Sequence, residues 1–288
     1  MKYDHFAGIF INILVCKLQN YEKVLNFASE LTTFLKMISK NQLKYIRQLE
    51  QKKYRRRENL FVAEGTKVVG DLLQRYRPEA VFATSEWQAP AGITPQLVTD
   101  DELRRISFLQ HPQQVLALFP IPSTVNCKPS TVNCKLSTVN SKLTLALDGV
   151  QDPGNLGTII RIADWFGIST IVCSEDTVDA WNPKVVQATM GSIARVNIIY
   201  TNLPDFLDTL PPDYPVYGTL LDGDNIYTQT LTPHGLIVMG NEGNGISDDV
   251  RERITHSLLI PDFHDGETAD SLNVAIATAI TCSEFRRR

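Results

Sequence analysis

From Leu143 to Phe285, short apolar runs alternate with helical patterns, and this alternation restricts the fold more than any other property of the chain. Leu143–Leu147, Thr170–Cys173, Val196–Tyr200, Val216–Leu220, Leu236–Met239 and Leu258–Ile260 have strand length. Between the first two, Leu156, Ile159, Ile160, Ala163 and Phe166 recur at helical spacing as one inward stripe, which leaves Arg161 and Trp165 together on the opposite face. Such alternation predicts an α/β fold with a mostly parallel sheet covered by helices on both faces. Ligands of such sheets sit beyond the C-terminal ends of the strands. Asn182-Pro183 marks a second helix as cap and first-turn residue, and Ser247 before Asp248-Asp249 a third. Ser271 reads as the N-cap of a nearly uncharged helix from Leu272 to Phe285, which is expected to be covered on most sides.

A different composition precedes this region. From Lys40 to Arg57, the cations Lys40, Lys44, Arg47, Lys52, Lys53, Arg55, Arg56 and Arg57 face a single acid, Glu50, with Tyr45 and Tyr54 interleaved. The patch reads either as a surface that neutralises phosphates, its tyrosines available to stack on bases, or as a solvated helix face. Glu58–Gly65 then reads as a strand and Thr66–Tyr76 as a helix with Val68, Val69, Leu72 and Leu73 inward, giving a small α/β module over residues 37–120. The period-seven repeat STVNCKP, STVNCKL, STVNSKL has too little apolar content for a coiled-coil seam. Residues 121–143 are therefore assigned to a low-complexity linker expected to act as a flexible tether, with residues 144–288 folding on their own. Residues 1–36 read as an N-terminal extension before Met37. Their apolar run lacks a charged leader and is too short to span a bilayer.

For 288 residues the length predicts about two domains. A net charge of −4 argues against wholesale electrostatic binding of nucleic acid without excluding a local basic patch. Five scattered cysteines without a CxxC pair support neither a disulfide framework nor a metal site, so a reducing cytoplasm is the simpler expectation, with no membrane span.

The chemistry is expected in three loops at strand ends. The first, DGVQDPGNLGTIIR, places Asn155 as a candidate cap ahead of Arg161. The second, GNEGNGIS, carries Gly240, Gly243 and Gly245, which admit close backbone approach, and Glu242 as its charge. The third runs from Pro261 to Asn273. None is a Walker A loop or a GxGxxG fingerprint. Singly, each has a dull explanation: a cap, a tight turn, another cap.

In this order, DPGNLGTIIRIADWFG, LIVMGNEGNGIS and LLIPDFHDGETADSLNVAIATA resemble the three motifs of the SpoU (TrmH) family of SPOUT RNA methyltransferases. The phrase RRRENLFVAEG likewise resembles that family's small substrate-binding domain. The resemblance implies a C-terminal parallel-sheet domain with a trefoil knot, preceded by a small α/β substrate-binding domain. It also implies S-adenosylmethionine as methyl donor, a ribose 2′-hydroxyl of rRNA or tRNA as acceptor, and a homodimer formed through the knotted domain. By the same resemblance, Asn155, Arg161, Glu242, Ser271 and Asn273 are the catalytic set. Leu220, Met239, Gly240, Asn241, Gly243, Ile260, Leu272 and Asn273 are expected to hold the cofactor, and from the basic patch itself Lys40, Lys44, Lys52, Lys53, Arg55, Arg56 and Arg57 are expected to bind RNA. Extra residues around His264-Asp265-Gly266 depart from the third motif. A catalytically silent RNA-binding protein of the same fold is the rival reading, and a cofactor-binding assay separates the two.

Overall fold

The computed structural model describes residues 38–122, 142–264 and 269–287. The N-terminal extension, the repeat over residues 123–141 and the extra residues 265–268 of the third motif lie outside the described residues.

The described residues open with two short helices, α1 (Lys40–Gln48) and α2 (Lys52–Glu58). A capping box closes the start of α1, where Ser39 accepts from the Gln42 N–H and the Gln42 side chain accepts from the Ser39 N–H. Asn59, in the left-handed region at φ 54°, ends α2, so the expected strand at Glu58 starts only at β1 (Leu60–Glu64). There follow α3 (Thr66–Leu73), β2 (Ala80–Ala83), β3 (Gln96–Leu97), α4 (Asp100–Ile106) and β4 (Val115–Pro120). These strands form a sheet in the order β1-β4-β2-β3. Val68, Val69 and Leu72 are buried from α3 as the pattern predicts.

The second sheet contains β5 (Leu143–Leu147), β6 (Thr170–Ser174), β7 (Asn197–Thr201), β8 (Val216–Asn225), β9 (Gly235–Met239) and β10 (His256–Leu259). Its order is β10-β8-β9-β5-β6-β7 and every pairing is parallel. The central strands β5, β6 and β9 are buried along their whole length, which explains their predominantly apolar sequence. Helices α5 (Pro153–Trp165), α6 (Pro183–Ala188), α7 (Leu203–Asp208), α8 (Asp248–Arg251) and α9 (Val274–Arg287) complete the layers. On α5, Leu156, Ile159, Ile160 and Ala163 are fully buried, and truncating Ile160 to Ala would cost about 2–5 kcal/mol. Where α5 crosses α6, a Cβ on Gly157 would lie 2.4 Å from that of Ala188, so only glycine permits the approach.

Helix α9 is covered on most sides, as expected: Val274, Ala275, Thr278, Thr281, Cys282, Glu284 and Phe285 are buried, it packs along α5 and sets Phe285 against Tyr217, and Ile276 is the large apolar side chain left 53% exposed. One expectation needs correction: the two sheets are not joined only by a tether. One apolar core runs from Phe61, Val68 and Phe119 through Trp181 and Val185 to Leu145 and Ile160, with the Phe61 and Trp181 rings 4.5 Å apart. No helix among the described residues is long and apolar enough to cross a membrane.

Candidate active site

Because the larger sheet is wholly parallel, the loops after β5, β9 and β10 emerge at one edge. Pairing between β10 and β8 changes register there: Ser257 is opposite Gly218, and the next residue, Leu258, is opposite Asp224. Residues 219–223 are thereby left out of the ladder. Thr219, Leu220 and Leu221 instead wall a cleft of about 360 Å³ with Leu258, Leu259 and Ile260, floored by Met239–Gly245. Leu220, Met239, Gly240, Asn241, Gly243, Ile260 and Leu272 all line this cleft, as do Glu242 and Ser271. Asn273, expected at the cofactor, lies outside the lining.

The floor is a closed turn. Asn241 and Gly245 exchange both backbone hydrogen bonds, at 2.8 and 3.0 Å, and Asn241 Oδ1 accepts from the N–H groups of Gly243 and Asn244. Gly240 passes so close beneath the turn that a Cβ would stand 2.3 Å from the Gly245 carbonyl carbon and 2.4 Å from the Ile246 nitrogen. Asn241 Nδ2 donates to the Gly149 carbonyl at 2.6 Å, and the Asp148 carboxylate accepts from both the N–H and the hydroxyl of Ser247 at 2.7 Å. The second loop is therefore tied at both ends to the first. Asp148 and Ser247 escape sequence reasoning because a strand-end aspartate and a helix-capping serine look ordinary until the fold joins them.

A polar network links all three loops. Asn155 Nδ2 donates to Glu242 Oε1 at 2.9 Å, and Asn155 Oδ1 accepts from Asn273 Nδ2 at 2.9 Å. Glu242 also accepts from the N–H groups of Gln151 at 3.1 Å and Asp152 at 3.2 Å, beside the start of α5, where the helix dipole favours an anion. Two caps differ from expectation. Asp152, not Asn155, caps α5 by accepting the Asn155 N–H at 2.8 Å, which frees the Asn155 amide for the network. The signal was legible, since Asp152-Pro153 is the same cap-and-proline pair as Asn182-Pro183. Ser271 is exposed and lies ahead of α9. Asn273 starts that helix instead, its Oδ1 accepting from the N–H groups of Ala275 and Ile276.

Partial burial raises the Glu242 carboxyl, but hydrogen bonds from the Asn155 amide and nearby backbone N–H groups outweigh it and hold the group below its ordinary value of 4.5. Glu242 is thus an ionised acceptor that fixes Asn155. A depressed folded-state value contributes stability that is fully present above about pH 4.5 and is lost as pH falls through the folded value. Urea unfolding of wild type and Glu242→Gln is expected to show a stability gap at pH 7 that narrows at about pH 3.5. A gap that stays constant or widens would contradict the assignment.

Arg161 is exposed and makes no hydrogen bond or ion pair among the described residues. It lies roughly 9 Å farther along α5 than Asn155, outside the network. On the same helix face Trp165 is 86% exposed. Of the expected RNA-binding cations, Lys40, Lys44, Lys52, Lys53, Arg56 and Arg57 are exposed, with Arg57 paired to Glu58. Arg55 must be struck from that set. It is 2% exposed, and its guanidinium is consumed by Asp179 and the carbonyls of Leu49 and Glu50. The tyrosines are engaged too: Tyr45 donates to Glu58, and Lys53 and Arg57 lie over the Tyr54 ring.

Comparison with known proteins matches this geometry to a family. Residues 142–283 match the SpoU rRNA methylase family, and residues 40–117 match the MRM3-like substrate-binding domain. Over 256 residues, 86% of this chain and 97% of the relative, the sequence is 31% identical to the 23S rRNA (guanosine(2553)-2'-O)-methyltransferase RlmP of Bacillus subtilis (strain 168). The chain belongs to the SpoU methylase family. Among solved structures, this SpoU protein is 41% identical to one described as an RNA methyltransferase of the TrmH family from Porphyromonas gingivalis. That match has a TM-score of 0.76 and covers 87% of this chain and 99% of the other. An AdoMet-bound rRNA methyltransferase from Sinorhizobium meliloti is 31% identical with a TM-score of 0.72, covering 85% and 94%. The six-stranded parallel sheet, with a substrate-binding domain ahead of it, is the SpoU arrangement.

Proposed function

We propose that this SpoU protein transfers a methyl group from S-adenosylmethionine to a ribose 2′-hydroxyl of rRNA or tRNA. The observation that carries the reading is the hydrogen-bonded line Asn273–Asn155–Glu242, which joins the three motif loops at the mouth of one cleft. The lining fits the cofactor: Leu220, Leu258, Ile260 and Leu272 offer apolar walls, and Gly240 leaves the backbone of the floor bare. A cleft of this volume lies in the range of small-molecule sites. When bound, S-adenosylmethionine supplies an electrophilic methyl group on a sulfonium.

The chain's own residues then have to present the hydroxyl and manage its proton. Asn155 and Asn273 set the geometry of the cleft mouth, and Glu242 holds Asn155 in one orientation. Ser271 is exposed and lines the cleft, which supports a contact from its hydroxyl to the ribose, the group that distinguishes RNA from DNA. A guanidinium carries its proton at ordinary pH, so the easier role for Arg161 is to stabilise the developing alkoxide or grip the adjacent phosphate; acting as base demands unusual surroundings. The exposed cations of α1 and α2 supply the phosphate contacts. The free buried thiols of Cys173 and Cys282 fit a reducing compartment, the cytoplasm.

The open face of α5 and α9, with Trp165 86% and Ile276 53% exposed, supports a two-fold homodimer formed through the larger sheet's helices. Sedimentation is expected to give a dimer at micromolar concentration for wild type and a monomer for Trp165→Glu. A monomeric wild type would contradict the pairing. The knot implied by the motifs is supported by the chain's course: β10 lies at the sheet edge, yet Leu272 returns to the cleft beside Leu220 and Gly240 before α9 packs on α5.

Calorimetric titration with S-adenosylmethionine tests the reading against the silent RNA-binding alternative. Saturable binding is expected, and no heat at millimolar cofactor would favour the alternative.

A further inference from the structure

Arg55 lies within the basic stretch, between exposed cations, but its side chain points away from solvent. Its Nη1 donates to the carbonyls of Leu49 at 2.8 Å and Glu50 at 2.6 Å, in the turn between α1 and α2. Its Nε donates to Asp179 Oδ2 at 3.0 Å, and Nη2 makes a second contact to the same carboxylate. Asp179 follows β6, on the sheet that carries the cleft, and its Oδ1 accepts the Trp181 N–H at 3.2 Å. One side chain therefore ties the basic helix pair to the body of the second domain. A buried guanidinium is tolerated only with its partners in place, so this contact admits one geometry.

A second tie closes the far end of the seam. Arg195 Nη1 meets Asp71 of α3 at 3.1 Å, and its Nε meets Asp164 of α5 at 2.9 Å. Asp164 belongs to the helix that carries Asn155 and Arg161. Hydrogen bonds from Arg195 and Ser192 outweigh partial burial and hold the Asp164 carboxyl below its ordinary range, so the pair stays ionised. Beside it, Gly191 comes so close to Asp71 that a Cβ would lie 2.3 Å from Oδ2. Between the ties the Phe61 and Trp181 rings are in contact.

We propose that Arg55 is a positioning residue: through Asp179 it locks the basic pair α1–α2 at one distance and angle from the cleft, so that the phosphate-gripping surface selects which ribose reaches Arg161. The selection rests on the methyl-transfer reading; the fixed geometry does not. Arg55 releases no phosphate counterions, because its guanidinium faces Asp179 and not the RNA.

Paired spin labels test the geometry directly. Labels go on the exposed Ser85→Cys and Asp205→Cys positions of the full chain, with Cys16, Cys127 and Cys134 replaced by serine and the buried Cys173 and Cys282 left in place. A single narrow distance distribution is expected, broadened by Asp179→Asn and, more mildly, by Arg195→Ala at the seam edge. Methyl transfer is then followed on ribosomal RNA from a strain lacking the gene. Asp179→Asn is expected to lower kcat/KM about tenfold or more, with S-adenosylmethionine affinity and the salt slope of RNA binding unchanged, whereas Lys53→Ala reduces that slope by about one. A broad distribution in wild type, an unchanged one in both variants, or a salt slope reduced in Arg55→Lys would overturn the proposal. If Asp179→Asn does not fold, Arg55→Lys, which keeps the cation but loses the planar fork that reaches Asp179, Leu49 and Glu50 together, carries the same comparison. Absent methyl transfer by wild type with a narrow distribution would remove the functional reading and leave the lock standing.

Discussion

Arg161→Ala is expected to abolish measurable methyl transfer while leaving cofactor affinity within a fewfold of wild type. The residue is exposed on α5, contributes nothing to the cleft lining and contacts no part of the Asn155–Glu242–Asn273 network, so its removal spares both the cofactor site and the fold. What it removes is a permanent positive charge on the face where RNA is proposed to meet the cleft. Loss of an electrostatic contributor to a transition state costs on the order of 10²-fold or more in rate. Single-turnover methyl transfer, paired with calorimetric cofactor titration, separates the effects. Near-normal turnover would move the chemistry elsewhere, and lost cofactor binding would place Arg161 in the wrong site. Rescue of the rate by Arg161→Lys would favour charge over guanidinium geometry, because lysine keeps the cation but not the planar fork.

Gly240→Ala is expected to weaken S-adenosylmethionine binding by about tenfold to a hundredfold, the equivalent of roughly 1–3 kcal/mol of overpacking. The added methyl would stand 2.3 to 2.6 Å from backbone atoms of Gly245 and Ile246. Those atoms cannot rotate aside as a side-chain end would. The turn must move as a whole, pulling on Asn241, which is anchored to the Gly149 carbonyl, and on the Ser247–Asp148 contact. Gly70→Ala on α3, where a Cβ meets nothing within 4 Å, is the control and should leave binding unchanged. Equal affinities for the two variants would show that the floor of the cleft is not where the cofactor lies.

Periodicity made the larger sheet legible, because strands buried on both faces are mostly apolar and their helices striped. The loops were legible as places for chemistry because all three follow strands of one parallel sheet, beyond whose C-terminal ends ligands sit, but the partners within them were not. Asn155 and Ser271 both look like caps from local sequence, and the true caps are Asp152 and Asn273, three and two residues away. Cap preferences rank residue types and do not fix which of two neighbours turns inward. Arg55 was hidden for a related reason. A run of like charges reads as uniformly solvated, and nothing local reveals that Asp179, 124 positions downstream, claims one of them. The register change that opens the cleft at Gly218–Asp224 is a property of strand pairing and has no signature in either strand alone.

Methyl transfer itself is the most direct test. Ribosomal RNA and transfer RNA from a strain lacking the gene are incubated with the full-length protein and S-adenosylmethionine labelled in its methyl group, and the product is mapped by resistance to alkaline cleavage. Incorporation at a defined nucleotide whose 3′ phosphodiester has become alkali-resistant, lost with Arg161→Ala, is the predicted result. Label on a base, or no incorporation into either RNA by a protein that binds the cofactor, would contradict ribose 2′-hydroxyl methylation of rRNA or tRNA as this chain's reaction.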